Sequence, residues 1–135
     1  MPYVKRLVMQ GFKSFVKKTE IPFTPEINVI LGPNGSGKSN VMDALCFVLG
    51  RLSIKSMRAA KAKNLIFMGS KTVGPAKEAT VEIVFDNEEN IFSVEGSELS
   101  IKRTVRKNGQ SIYKINNHIK TRQEVLSVLA QAGID

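Results

Sequence analysis

Apolar and polar positions alternate along much of this chain, and the places where they stop alternating are as informative as the places where they do. Tyr3–Phe12, "YVKRLVMQGF", is rich in β-formers and predicts a first strand. "KTEIPF" predicts a short second strand, with Pro22 near its end, as at an edge or a strand terminus. Ile27–Leu31, "INVIL", is instead a continuous apolar run. That pattern suits a strand buried on both faces, in a parallel or mixed sheet covered by helices. A glycine-rich turn follows, and then "KSNVMDALCFVLG" predicts a helix of about three turns. It is apolar nearly all round from Val41 to Leu49, so it should be largely buried, and Gly50 fits its C-terminal cap.

In the second half "MRAAKAKNLIF" predicts a short helix and "GSKTVGPAK" a loop. "ATVEIVFDN", "NIFSV", "LSIKRTVRK" and "QSIYKI" come next, several of them alternating as half-solvated antiparallel strands do. Asn108-Gly109 is a hairpin signal between the last two, because both residue types accept positive φ. "TRQEVLSVLAQAG" predicts a final helix. Thr121 and Glu124 form a capping-box pattern, and Val125, Leu126, Val128 and Leu129 supply its apolar face. No repeat or linker breaks the pattern, so residues 1–135 are expected to form one unit.

Charge sharpens this picture. The net charge is +8 and it is uneven. Between Asp43 and Glu78 there is no acidic residue, while Arg51, Lys55, Arg58, Lys61, Lys63, Lys71 and Lys77 all fall there. A solvated basic face would account for the run; so would a surface for the phosphates of a nucleotide or of DNA. No apolar run approaches the roughly 20 residues of a membrane span. The first residues lack a secretory signal, and Cys46, the single cysteine, rules out an internal disulfide. These features favour a cytoplasmic protein.

The chemistry concentrates in Gly32-Pro33-Asn34-Gly35-Ser36-Gly37-Lys38-Ser39, followed by Asn40, a full match to G-x-x-x-x-G-K-[ST]. Glycines let such a loop curl until successive backbone N–H groups point inward at a phosphate. A helix beginning near Lys38 would add its free N–H groups and positive dipole end. Lys38 could reach the β- and γ-phosphates, and the Ser39 hydroxyl could take one position on Mg²⁺. The chain has no N-K-x-D segment to read guanine, so ATP is the expected nucleotide.

Hydrolysis needs a second metal carboxylate and a group to orient water. Asp86 and Glu88, after "VEIVFD", are poor candidates. A metal aspartate normally ends a fully buried strand, whereas Glu82 interrupts this one. His118, the only histidine, reads as a surface residue after a turn-like "NN". Cys46 and the methionines read as packing.

Taken in order, "GFKSF", "GPNGSGKSN", "SMRA", "NLIFMGS", "PAKEATVEIVFDN" and "YKINN" make the chain similar, over essentially its whole length, to the N-terminal ATPase lobe of SMC (structural maintenance of chromosomes) proteins of the prokaryotic or archaeal type. The resemblance implies an α/β fold: a P-loop ATPase half-domain of the ABC type, a mixed sheet with an antiparallel β subdomain. It implies ATP and Mg²⁺ at Gly32–Asn40, with Lys13 and Ser14 of the "FKS" turn close to the nucleotide. Arg58 of "MRA" would act near the phosphates beside Lys38 and couple ATPase activity to DNA. Ala62, Lys63 and Asn64 fall where adenine-side contacts are made. Lys55, Arg58, Lys61, Lys102 and Arg103 gain weight as DNA contacts. The implied partners are the C-terminal lobe of the same head, a second SMC head in a homodimer, DNA and a kleisin-type subunit, at the nucleoid and not in a membrane.

In such proteins the signature motif, second metal aspartate and catalytic glutamate lie in the C-terminal lobe, beyond a coiled coil. The chain, ending at "AQAGID", is therefore expected to be a fragment, a split product or an engineered truncation, inactive as an ATPase by itself. The alternatives are an isolated ATP- and DNA-binding module without hydrolysis, or a head fragment of a related DNA-repair ATPase.

Overall fold

The computed structural model describes residues 3–12, 17–22, 36–50, 66–67, 69 and 75–133, with only the backbone at residues 36–40 and at Met42. In chain order the elements are β1 (Val4–Gln10), β2 (Thr19–Pro22), α1 (Ser36–Val48), β3 (Glu78–Asp86), β4 (Glu98–Arg106), β5 (Ser111–Ile115), β6 (His118–Lys120) and α2 (Arg122–Ala130). The expected strand over "INVIL" and the short helix expected at "MRAAKAKNLIF" fall outside the described residues, apart from Ile66 and Phe67.

The strands form one antiparallel sheet in the order β2-β1-β3-β4-β5-β6. Strict alternation sends every second side chain to the same face. Leu7, Ile83, Ile101 and Ile115 therefore line up across four strands as one apolar row. The first three are no more than 1% exposed and Ile115 is 4% exposed. Helix α1 covers this face at β3 and β4, and α2 covers it at β5. Burying each large aliphatic or aromatic side chain contributes about 1.5–3 kcal/mol, so this face is the main source of stability.

The opposite face carries another cross-strand row, Glu20, Val8, Glu82, Lys102, Lys114 and Ile119. Opposite charges sit next to each other at Glu82 and Lys102, which offsets the repulsion between Lys102 and Lys114.

Three details differ from what the residue pattern predicts. "NIFSV" is not a strand: residues 92–97 form a bend, because Asn87, 2% exposed, takes over their backbone hydrogen bonding. Its Nδ2 donates towards the carbonyls of Phe92, Val94 and Gly96, and its Oδ1 accepts the Phe92 N–H at 3.0 Å. The hairpin at Asn108-Gly109 exists, but among its residues only Gly109 has positive φ, at 88°. The Gly109 N–H donates to the Arg106 carbonyl at 2.8 Å, closing a turn before a single left-handed residue. The turn with two left-handed residues is instead Asn116-Asn117, at φ 47° and 70°, and it creates β6, a strand not foreseen.

Helix α2 has the expected capping box. The Thr121 hydroxyl accepts from the Glu124 N–H at 3.1 Å, and the Glu124 carboxylate accepts from the Thr121 N–H at 3.0 Å. Among the described residues, no helix is long and apolar enough to cross a membrane.

Candidate nucleotide site

Helix α1 starts at Ser36, two residues earlier than the phosphate-loop pattern suggests, so Ser36, Gly37, Lys38, Ser39 and Asn40 form its first turns. The first four N–H groups of any helix lack intrahelical partners. Inside α1 these include the N–H groups of Ser36, Gly37 and Lys38, and no acidic residue in the first turn competes for them. Such an end can hold an anion by N–H donation and by the positive end of the helix dipole. Gly32, Pro33, Asn34 and Gly35 lie outside the described residues, as do Lys13, Ser14, Lys55, Arg58, Lys61, Ala62, Lys63 and Asn64.

The rest of α1 is fixed by burial. Val41, Asp43, Ala44, Phe47 and Val48 are each no more than 2% exposed. Leu45, Cys46 and Leu49 are half-buried against the same core. The ring of Phe47 packs on that of Phe12, with centroids 5.5 Å apart.

Phe12 belongs to "GFKSF", and it bridges to Ile66 of "NLIFMGS". The Phe67 N–H donates to the Gly11 carbonyl at 2.8 Å, and the Ala76 N–H to the Phe67 carbonyl at 3.0 Å. Two segments distant in the chain are thus stitched together beside α1. Gly11 makes the approach possible: its φ is +67°, and a Cβ there would lie 2.4 Å from the Glu78 carbonyl oxygen.

The far end of α1 is held by two arginines. No basic residue lies in the helix's own last turn. Arg103 of β4 donates from Nη1 to the Phe47 carbonyl at 2.9 Å and from Nη2 to Ser111 Oγ at 3.1 Å. Its guanidinium carbon sits 4.3 Å from the centre of the Phe47 ring and 4.8 Å from that of Tyr113. Arg122 of α2 donates to the Gly50 carbonyl from Nε at 3.1 Å and from Nη2 at 2.8 Å. Burial pulls the Arg103 guanidinium below its ordinary pKa and pushes the Tyr113 phenol up. The guanidinium stays cationic at any ordinary pH.

Arg103 was expected at a DNA-contacting surface and does not lie on one: it is 5% exposed. It occupies an inward position in the alternation Leu99, Ile101, Arg103, Val105, and that parity was the overlooked signal in the sequence. Lys102, its neighbour, points to the outer face beside Glu82. Asp86 ends β3 on the half-buried side, next to Tyr3. Gly11 abuts the other end of that strand at Glu78, about 26 Å away at ~3.3 Å per residue. His118 is exposed on β6.

Comparison with known proteins agrees with this frame. The family model for the RecF/RecN/SMC N terminal domain matches residues 3–135. The chromosome partition protein Smc of Pyrococcus furiosus is 48% identical over 135 residues, covering 99% of this chain and 12% of that protein. The Mycobacterium leprae protein of the same name is 41% identical over 132 residues, covering 98% and 11%. The chain thus spans about one eighth of these relatives.

Among solved structures, one from work on the "structural biochemistry of ATP-driven dimerization and DNA stimulated activation of SMC ATPases" matches with TM-score 0.90 and 47% identity, over 98% of this chain and 81% of the other. The Smc head domain of Pyrococcus furiosus with an extended coiled coil, bound to the C-terminal domain of ScpA, matches with TM-score 0.88 and 45% identity, over 100% and 34%. A RecF structure with ATP, at TM-score 0.63 and 21% identity, shares the fold. The chain belongs to the RecF/RecN/SMC N-terminal domain family and, within it, stands with the SMC heads.

Proposed function

We propose that this chain is the ATP-binding N-terminal lobe of an SMC-type head, part of an ATPase that organises and segregates chromosomes through ATP-driven head engagement. The carrying observation is the start of α1 inside the G-x-x-x-x-G-K-[ST] motif, at Ser36. It makes the unpaired N–H groups of the helix part of the phosphate loop itself.

In this reading Gly32–Gly37 curl around the phosphates, with Asn40 on the next turn of the helix. Lys38 meets the charge on the β- and γ-phosphates. Lys13 and Ser14 follow Phe12, which the bridge to Ile66 ties down beside α1. Arg58 acts near the phosphates, and Ala62, Lys63 and Asn64 face the adenine side. Ser39 fits Mg²⁺ as a hard hydroxyl donor, and the ion would neutralise phosphate charge.

The DNA-contacting set is narrower than the residue pattern suggests. Arg103 leaves it because of burial. Lys102 is a weak member, since Glu82 faces it. Lys55, Arg58 and Lys61 remain. The partners proposed are the C-terminal lobe of the head, a second head in a homodimer, DNA and a kleisin-type subunit, by analogy with the ScpA-bound Smc head. The working site is the nucleoid, in the cytoplasm.

The test is equilibrium binding of Mg²⁺-ATP to the chain, followed by phosphate release after mixing with a matching C-terminal lobe. Retention of ATP that disappears in Lys38→Ala, with phosphate release only in the mixture, supports the proposal. A folded chain that ignores Mg²⁺-ATP refutes it.

A further inference from the structure

Helix α1 has two ends that need partners, and the carbonyls in its last turn and just beyond it are served by side chains from two other elements. Arg103 reaches Phe47 from β4, and Arg122 reaches Gly50 from α2. Arg103 is an expensive choice for stability alone. Its hydrogen bonds go to a carbonyl and a hydroxyl, and its Nε and the Tyr113 hydroxyl find no hydrogen-bond partner among the described residues. Buried ions can often be replaced by apolar side chains without loss of stability. What an arginine adds that an apolar side chain cannot is a rigid fork of donors and a charge suited to the negative end of a helix dipole.

We propose that Arg103 and Arg122 are positioning residues for the nucleotide. Resting on the ATP-binding reading above, they set the axial and rotational position of α1 through the Phe47 carbonyl of its last turn and the Gly50 carbonyl just beyond it, and so place the free N–H groups of Ser36–Lys38 against the phosphates. The coupling is mechanical. The helix of 13 residues is about 20 Å long, more than twice the Debye length of about 8 Å at physiological salt, so the direct pull of the exposed Arg122 on the phosphates is small. Packing transmits the position, because Phe47 and Val48 are fully buried and cannot shift without displacing the core.

Arg122 is the better handle, since its side chain lies at the surface and its loss leaves the core intact. In Mg²⁺-ATP binding to the chain, Arg122→Ala is expected to weaken affinity roughly fivefold while thermal unfolding stays nearly where it was. Arg122→Lys, with one donor group in place of the fork, should fall between. Arg103→Met, an apolar replacement of similar reach, should keep or raise thermal stability yet also weaken nucleotide binding.

Unaltered affinity in Arg122→Ala and Arg103→Met overturns the positioning role and leaves the ATP reading standing. Absence of binding by the unaltered chain overturns both. Amide exchange at residues 39–43, the first N–H groups bonded within α1, gives a readout independent of nucleotide. It should quicken in Arg122→Ala, and equal exchange in the two proteins also overturns the proposal.

Discussion

Asn87 and Phe92 exchange a reciprocal pair of hydrogen bonds: Asn87 Oδ1 accepts the Phe92 N–H at 3.0 Å while Asn87 Nδ2 points to the Phe92 carbonyl at 3.3 Å. Both residues are buried, and the Phe92 ring packs 5.5 Å from that of Phe85. One side chain thus performs the role that a neighbouring strand would otherwise have for this segment. Replacing Asn87 by Ala leaves the buried Phe92 N–H without its acceptor, at a cost of about 1–3 kcal/mol. Asn87→Asp should be at least as damaging, since a carboxylate cannot donate to three carbonyls. Denaturant unfolding of the two variants checks this, and amide exchange should show the change first at Phe92.

Gly11 has no room for a side chain. A methyl group there would meet the Glu78 carbonyl, and its φ of +67° adds about 1–2 kcal/mol of strain for any L side chain. Gly11→Ala should therefore lose several times what an ordinary surface change loses. It should also loosen the Phe12–Ile66 bridge. Thermal unfolding measures the first effect, and protection of the Phe67 amide, bonded to Gly11, reports the second.

The two asparagines of the β5–β6 turn have unequal duties. Both are left-handed, but the Asn116 side chain also accepts the Ser100 N–H at 2.8 Å, and its own N–H donates to the Ser100 carbonyl at 2.9 Å. Asn117→Gly should be neutral or slightly stabilising, because glycine adopts this φ without strain. Asn116→Gly should cost about 1 kcal/mol through the lost acceptor. Comparison of the midpoints of urea unfolding separates the two.

Glu98 links two strands by charge. Lys5 Nζ lies 2.7 Å from its carboxylate and Arg6 Nη2 3.4 Å. The hydrogen bond from Lys5, then that from Arg6, holds the Glu98 carboxyl below its ordinary value of 4.5. A depressed folded-state pKa means that the stabilisation is complete above that ordinary value and is lost as pH falls through the folded one. Glu98→Gln should accordingly lower the unfolding temperature slightly at neutral pH and make no difference in acid. The effect is small because the side chain is one-third exposed, and added salt should shrink it further.

Local chemistry made much of this protein legible in one dimension. The strand at β1, the buried stretch of α1 and the capping box of Thr121 and Glu124 follow from periodicity and from single side chains acting on nearby backbone. The phosphate motif is likewise a contiguous run of residue types. Contacts between distant segments were not legible. Nothing near residue 103 says that its guanidinium will lie under Phe47, 56 residues away; only closing the sheet against α1 makes that pair. Residues 90–94 have the composition of a strand, yet Asn87 offered this segment's backbone a nearer set of partners than any neighbouring strand could. Alternation determined which face each side chain takes. The register across β3, β4 and β5 decided what it meets there, because pairing between strands depends on sequence separations that a local pattern cannot encode.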